Sequence, residues 1–191
     1  MKITAETCPH FLHFVAEEVP AGATEFKCCP PIRERDNREA LWRALGEGVL
    51  DMIASDHSPC SPALKSERFD EAWGGVSGLQ LALPVAWTEA SKRGFSLEQL
   101  AQWMCAAPAR LAGLQHRKGT LAAGFDADLC VFRPEESFAV DPQKLSHKHK
   151  LTPYAGQELR GVVVATLVRG ELAYHRGEFS KAPHGEELLR E

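Results

Sequence analysis

Three short runs set the strongest limit on the fold, because each breaks into a polar loop punctuated by proline. Ile3 to Thr7 gives way to Cys8-Pro9-His10, Glu25 to Cys29 gives way to Pro30-Pro31-Ile32-Arg33, and Leu50 to Ala54 gives way to Ser55-Asp56-His57-Ser58-Pro59-Cys60. Proline cannot donate to a sheet ladder, so each run reads as a strand that stops there. Between the second and third, Asp36 or Asn37 caps a helix through about Leu45, with Leu41, Trp42 and Leu45 on one face and Gly46 and Gly48 at its end. Strand, loop, helix, strand is the rhythm of parallel pairing. Ligands in parallel α/β folds collect at the C-terminal ends of strands, so the three loops are expected to share one mouth.

Beyond this unit a glycine-rich turn, Gly74 to Gly78, leads into a helix from about Leu79 to Lys92, where Pro84 is expected to kink the helix or end its first turn. A helix from Leu97 to Ala106 follows, then Pro108 and a short helix through Leu114. From Gly119 the pattern changes. Leu129 to Phe132, Val162 to Val168 and Glu171 to His175 are short apolar pieces, and Arg169-Gly170 joins the last two as a hairpin. The expected organisation is an α/β unit over 1–118, a small β domain over 119–179 and a charged, frayed tail over 180–191. Glu135 to Leu159, which holds His147 and His149 among lysines, has weak periodicity and reads as a long exposed loop.

Composition narrows the function. Apolar residues make up 44% and charged residues 25%, the balance of an ordinary globular chain. A net charge of −4 without a basic stripe gives no reason to expect nucleic acid, and no run approaches the roughly 18 apolar residues of a membrane span. The N-terminus lacks the basic and apolar regions of a signal peptide, so a cytoplasmic or other reducing intracellular setting is expected. The six cysteines lack C-x-x-C pairs and are expected to be reduced; adjacent Cys28 and Cys29 would face opposite sides of a strand. A small molecule is the expected partner.

Two side chains in the loops have the chemistry of metal ligands. His10 offers an imidazole and Asp56 a carboxylate, both suited to zinc and similar ions, and Asp56 could also take a proton from an activated water. Taken alone, a histidine after a strand equally suits a structural hydrogen bond, and an aspartate in a turn equally suits a cap. Two ligands also fall short of the three that a catalytic zinc commonly takes.

The wording of the loops adds more. Glu6-Thr7-Cys8-Pro9-His10, Lys27-Cys28-Cys29-Pro30-Pro31-Ile32-Arg33-Glu34, Ser55-Asp56-His57-Ser58-Pro59-Cys60 with Leu64-Lys65, and Ala72-Trp73-Gly74-Gly75-Val76-Ser77-Gly78-Leu79-Gln80 together resemble the cyclic amidohydrolases, and within them the allantoinases. Lys118-Gly119-Thr120-Leu121, Gly124 to Leu129 and Thr166 to Gly170 resemble the β domain that ends such enzymes. Dihydropyrimidinases tend to carry Ser before the double proline, and dihydroorotases tend to follow Asp-His with Ala-Pro; Cys29 and Ser58-Pro59-Cys60 differ from both.

The resemblance implies a (β/α)₈ TIM barrel, of which this chain would hold about the last three βα units, plus part of a small β-sandwich domain. It implies two bridged divalent metals, expected to be zinc, with His10 a ligand of one and Asp56 a ligand of the other. Asp56 would also be the catalytic base, passing a proton to the leaving ring nitrogen, while Cys29 and Ser77 would hold a cyclic ureide substrate. His57 is expected to be a wall residue, and Arg33 and Glu34 an ion pair. A homo-oligomer is implied for the complete enzyme. The family pattern also places a His-x-His pair, a carboxylated Lys and one more His before His10, whereas this sequence starts nine residues before it. The expectation is therefore a C-terminal portion with a partial site, inactive alone. A hydantoinase-type enzyme, a non-catalytic scaffold and an enzyme assembled from pieces are the alternatives.

Overall fold

A computed structural model describes residues 3–182 and 185–188. Part of the tail expected over 180–191 thus lies outside the described residues. Two very short strands, β1 (Glu6–Thr7) and β2 (Met52–Ile53), pair in parallel with Thr7 opposite Ile53. Backbone hydrogen bonds continue the pairing on both sides, from Asp51 N to Ala5 O and from Ala54 N to Thr7 O, each 2.9 Å. A parallel bridge between His57 and Val76 carries the register further. The loops after β1 and β2 therefore leave from the same edge, as the rhythm of the sequence required.

Helix α1 (Pro9–His13) follows β1 directly, with Pro9 in the first turn, where its missing N–H leaves nothing unsatisfied. Helix α2 (Arg35–Gly46) buries Trp42 and Leu45. Helix α3 (Ala82–Lys92) is apolar nearly all round, with Pro84 to Ala90 buried, because it lies between two partners. On one side Ala86, Trp87 and Ala90 join Leu12, Trp42, Leu45, Leu100 and Trp103 in one core. On the other, α3 meets an antiparallel sheet ordered β3 (Leu129–Ala139), β4 (Glu158–Val168), β5 (Glu171–His175) and β6 (Glu178–Phe179). Trp87 Nε1 donates to Pro134 O at 2.9 Å, and Thr88 Oγ1 accepts from Arg160 N at 2.8 Å. Gly161 permits this contact: its φ is +98°, and a Cβ there would stand 2.4 Å from Phe132 Cζ. A second core joins Phe14, Cys28, Ile32, Val76, Leu81 and Val85 to Val140, Leu145, Tyr154 and Leu159, drawing on residues from both sides of position 118.

After α3, α4 (Leu97–Ala101) opens with a capping box between Ser96 and Gln99, and a π-helical turn (Gln102–Ala106) leads to α5 (Ala107–Ala112). The hairpin turn at Arg169-Gly170 has positive φ at both residues, +50° and +84°, the twist that flanking strands favour.

Two expectations are corrected. Glu25 to Cys29 is not a strand: Thr24–Phe26 is a 3₁₀ turn whose N–H groups are met locally, by Phe26 N to Ala23 O and Lys27 N to Thr24 O. Glu135 to Leu159 is not all loop, since β3 runs to Ala139 and β4 begins at Glu158. Register shifts in the β3–β4 pairing, between Val131 and Phe132 and between Arg133 and Ser137, break the alternation that would have marked the strand. Among the described residues no helix is long and apolar enough to cross a membrane.

Candidate metal centre and its surrounding loops

The pairing of β1 with β2 brings Cys8-Pro9-His10 beside Ala54-Ser55-Asp56. His10 sits in the first turn of α1, 1% exposed, and its Nε2 lies 3.7 Å from Asp56 Oδ2. That is within ion-pair range but too long for a hydrogen bond. His10 Nε2 has no hydrogen-bond partner although it is buried, and a buried polar atom left without one is costly. Burial holds the imidazole far below its usual pKa, at about 4, against the opposing pull of Asp56. His10 is therefore neutral at physiological pH, the form that ligates metals.

Asp56 approaches with its side chain half exposed and its backbone at φ +42°. Aspartate tolerates that left-handed region better than most residues. Cys8 completes the group: a ligand atom from each of Cys8, His10 and Asp56 lies within 4.8 Å of the others. Cys8 is buried, and burial, then the Asp56 charge, pushes its thiol up to about 12. An orphaned buried nitrogen facing a carboxylate and a thiol fits a divalent cation. Sequence reasoning named His10 and Asp56 and passed over Cys8, whose signal was its place between β1 and His10.

His57, the neighbour of Asp56, is held by the end of the glycine-rich turn. Its Nδ1 accepts from Gly78 N and Leu79 N, both at 3.2 Å, so in the neutral ring Nε2 carries the proton. Burial lowers its pKa. The parallel bridge to Val76 sets Ser77 next to this histidine. Ser77 is 7% exposed; its Oγ lies 3.0 Å from His147 Nδ1, and its carbonyl accepts from Thr152 Oγ1 at 2.6 Å. His147 is thus not exposed loop. Leu145 and Tyr154 are buried in the core at either side of it and draw the 145–154 strap inward. No periodicity reveals a segment held by two isolated anchors.

Cys29 is exposed on the loop that carries it. Lys65 ties that loop to the glycine-rich turn, donating to Lys27 O at 3.0 Å and Gly75 O at 2.9 Å. Gly75 N donates to Lys27 O at 2.8 Å, and a Cβ on Gly75 would meet Ser58 Oγ at 2.5 Å. The turn must be glycine to let the Ser58 loop pass. Arg33 and Glu34 pair at 3.1 Å on the surface, and Trp73 is 49% exposed.

A cavity of about 550 Å³ lies away from the cluster, between α1, α2 and α3. Its charges serve one another. Glu89 is 4% exposed and binds His13 at 3.2 Å, Lys92 at 2.8 Å and Arg93 at 2.8 Å, while Arg93 also binds Glu39. Burial alone would raise the Glu89 carboxyl, and the bonds from His13, Lys92 and Arg93 overcome it, leaving it well below the usual carboxylate range. A depressed carboxyl contributes stability that is fully present above the unfolded-state value and is lost as the pH falls through the folded-state value. Glu89→Gln is therefore expected to cost about 2 kcal/mol at neutral pH and progressively less in acid. Thermal melts of both proteins across pH check this; a gap that stays constant into strong acid contradicts it.

Comparison with known proteins places these features in a family context. The profile described as "Amidohydrolase family" matches residues 14–173. The chain is 53% identical over its full length to an allantoinase of Streptomyces avermitilis, covering 42% of that protein. It is 50% identical to an allantoinase of Arabidopsis thaliana, with 92% of the chain and 36% of the relative covered, and 43% identical to one of Saccharomyces cerevisiae, with 99% and 41% covered. The chain spans about two fifths of the length of these relatives. Among solved structures, an L-hydantoinase (dihydropyrimidinase) from Arthrobacter aurescens superposes with a TM-score of 0.87 at 31% identity, over 93% of this chain and 40% of that one.

Proposed function

The chain belongs to the amidohydrolase family, and from that premise we propose that it forms part of an allantoinase, opening the ring amide of allantoin by hydrolysis. The observation that carries the reading is the neutral, partnerless His10 nitrogen facing Asp56 at the ends of paired parallel strands. The family is generally dependent on divalent metals. In this reading there are two, zinc by ligand type, with His10 on one and Asp56 on the other. When bound they supply Lewis-acid polarisation of the ring carbonyl and make the attacking water more acidic. Residues 1–118 belong to a (β/α)₈ barrel and residues 119–179 to its accompanying β domain, in an enzyme that assembles as a homo-oligomer.

The chain's own residues then have distinct tasks. Asp56 takes the proton of the attacking water on a carboxylate oxygen and delivers it to the ring nitrogen as the C–N bond breaks. His10, kept neutral by burial, holds its ion through Nε2. Ser77, fixed by His147 and Thr152, and the Cys29 loop, fixed by Lys65, hold the ring.

One donor to each ion is too few for two ions, so turnover needs further ligands beside His10 and Asp56. The pair His147 and His149 stands outside the cluster of ligand atoms that gathers around His10 and Asp56. The test is allantoin hydrolysis by the 191-residue chain alone and after mixing with the N-terminal three fifths of the Streptomyces relative. No turnover alone and allantoate formation after assembly is the expected result. An assembled pair that fails to open allantoin sinks the reading, and one that prefers a hydantoin or dihydropyrimidine ring favours the hydantoinase alternative, which the Arthrobacter likeness supports.

A further inference from the structure

We propose that His147 is a positioning residue that makes the Ser77 hydroxyl a hydrogen-bond donor, so that Ser77 grips a carbonyl oxygen of the ring substrate. The inference rests on the reading of Ser77 as a residue that holds the ring, and adds to it the direction of that hydrogen bond. Its basis is the company Ser77 keeps. Ser77 is 7% and His147 9% exposed, and their Oγ and Nδ1 stand 3.0 Å apart. The Ser77 carbonyl accepts from Thr152 Oγ1 at 2.6 Å, and the N–H groups of the next two residues, Gly78 and Leu79, donate to His57 Nδ1. The backbone is thereby held at and beyond Ser77, and the hydroxyl is left to act.

Two arrangements satisfy the contact between Oγ and Nδ1. In one, the hydroxyl donates to a bare Nδ1 and the ring carries its proton on Nε2. In the other, Nδ1–H donates to Oγ and Nε2 is bare. The surroundings of Nε2 choose between them. That atom is buried without a hydrogen-bond partner, and a buried N–H left unpaired is rare in folded chains. Its neighbours also present positive ends. The His57 ring, whose Nε2 carries a proton, lies 4.9 Å away between centroids, and the Lys150 ammonium donates to Leu145 O within the same strap. Burial, then the influence of His57 and Lys150, lowers the His147 pKa and keeps the ring neutral. A bare nitrogen suits such surroundings better than a second N–H, so the proton sits on Nδ1. His147 is thus the tautomer opposite to His57.

The consequence is chemical selectivity. With Oγ accepting from Nδ1–H, the hydroxyl hydrogen has no acceptor among the described residues and finds one on the ligand. A carbonyl oxygen accepts it, whereas a ring N–H, itself a donor, does not. The contact suits the ring carbonyl that hydrolysis leaves intact. Such a bond is as strong before the reaction as during it, and its loss shows in KM rather than in kcat. Ser77 thereby favours ureide and imide rings, which carry a second carbonyl, over simple lactams, which have only the one that opens.

Nitrogen-15 NMR of the histidine-labelled 191-residue chain reads the tautomer without any assembly, the His147 signals being assigned by their loss in His147→Asn. Two-bond ring correlations at neutral pH are expected to show His147 protonated at Nδ1 and His57 at Nε2. Protonation of His147 at Nε2 overturns the proposal, whatever the enzyme does. Steady-state kinetics on allantoin with the assembled enzyme read the consequence. Asparagine offers an amide N–H in place of Nδ1–H, so His147→Asn should keep KM within about threefold of the parent. His147→Ala and Ser77→Ala should each raise KM about tenfold with kcat nearly unchanged, and the double variant should be no worse than either. Additive losses, or a fall in kcat alone, overturn the role of His147. Ser77→Ala that raises KM while His147→Ala does not sinks this proposal and leaves Ser77 as a ring holder. Ser77→Ala without effect on KM sinks both. Where His147→Ala fails to fold, the spectrum of the unaltered chain and the His147→Asn kinetics still decide.

Discussion

Asp56→Asn, introduced into the assembled enzyme, is expected on the proposed reading to lower kcat for allantoin hydrolysis by about 10³-fold or more, since it would remove the proposed general base, worth roughly 10² to 10⁴, together with a proposed anionic metal ligand. The substitution is a clean one. Asp56 stands at φ +42° with a half-exposed side chain, and asparagine accepts that backbone region as readily as aspartate. The fold should be unaffected, with thermal melts of the two proteins nearly superimposed, so the loss reports the carboxylate. Steady-state kinetics and metal content measured on the same sample separate the two contributions. A variant that keeps its metal and turns over within tenfold of the parent removes Asp56 from the chemistry.

The largest effect on stability is expected at Trp42. The ring is 1% exposed, stacks on Phe95 at 5.7 Å, meets Trp103 edge-on at 6.2 Å and lies under the Arg93 guanidinium at 5.1 Å. Its Nε1 donates to Leu12 O at 3.0 Å, which ties α2 to α1, the helix that carries His10. Trp42→Ala should cost about 3 to 5 kcal/mol, from lost burial and a cavity that rigid neighbours cannot fill. Trp42→Phe keeps most of the ring contact and loses the hydrogen bond, so about 1 to 2 kcal/mol is expected. Urea denaturation gives both values. A loss at Trp42→Ala near that of Trp42→Phe would mean that packing contributes little there and that the hydrogen bond dominates.

Much of this was legible in the chain. The strand ending at Thr7 followed from proline position, the strand expected over Leu50 to Ala54 is present as Met52–Ile53, and α2, α3 and the Arg169-Gly170 hairpin followed from periodicity and turn chemistry. What failed did so for physical reasons. Glu25 to Cys29 looked like a strand because prolines stop it, yet its N–H groups close a 3₁₀ turn and its Lys27 carbonyl takes Lys65 and Gly75. The β3 strand hid behind register shifts, and His147 lay on a strap that Leu145 and Tyr154 anchor in the core and Thr152 ties to Ser77. Glu89 gave no signal at all, since His13, Glu39, Lys92 and Arg93, from α1, α2 and α3, gather around it only after packing.

The sequence by itself determined the kinds of ligand and the loops that bear them. His10 and Asp56 follow two runs that read as strands and pair as such, and the wording of the loops carries the family. Tertiary structure alone decided their company. The register of two-residue strands sets Asp56 3.7 Å from His10 and brings Cys8 within reach, while burial holds the imidazole neutral and leaves its nitrogen without a partner. Distance and desolvation belong to the packed chain, and residues 46 positions apart along the sequence, such as Thr7 and Ile53, acquire them only by pairing.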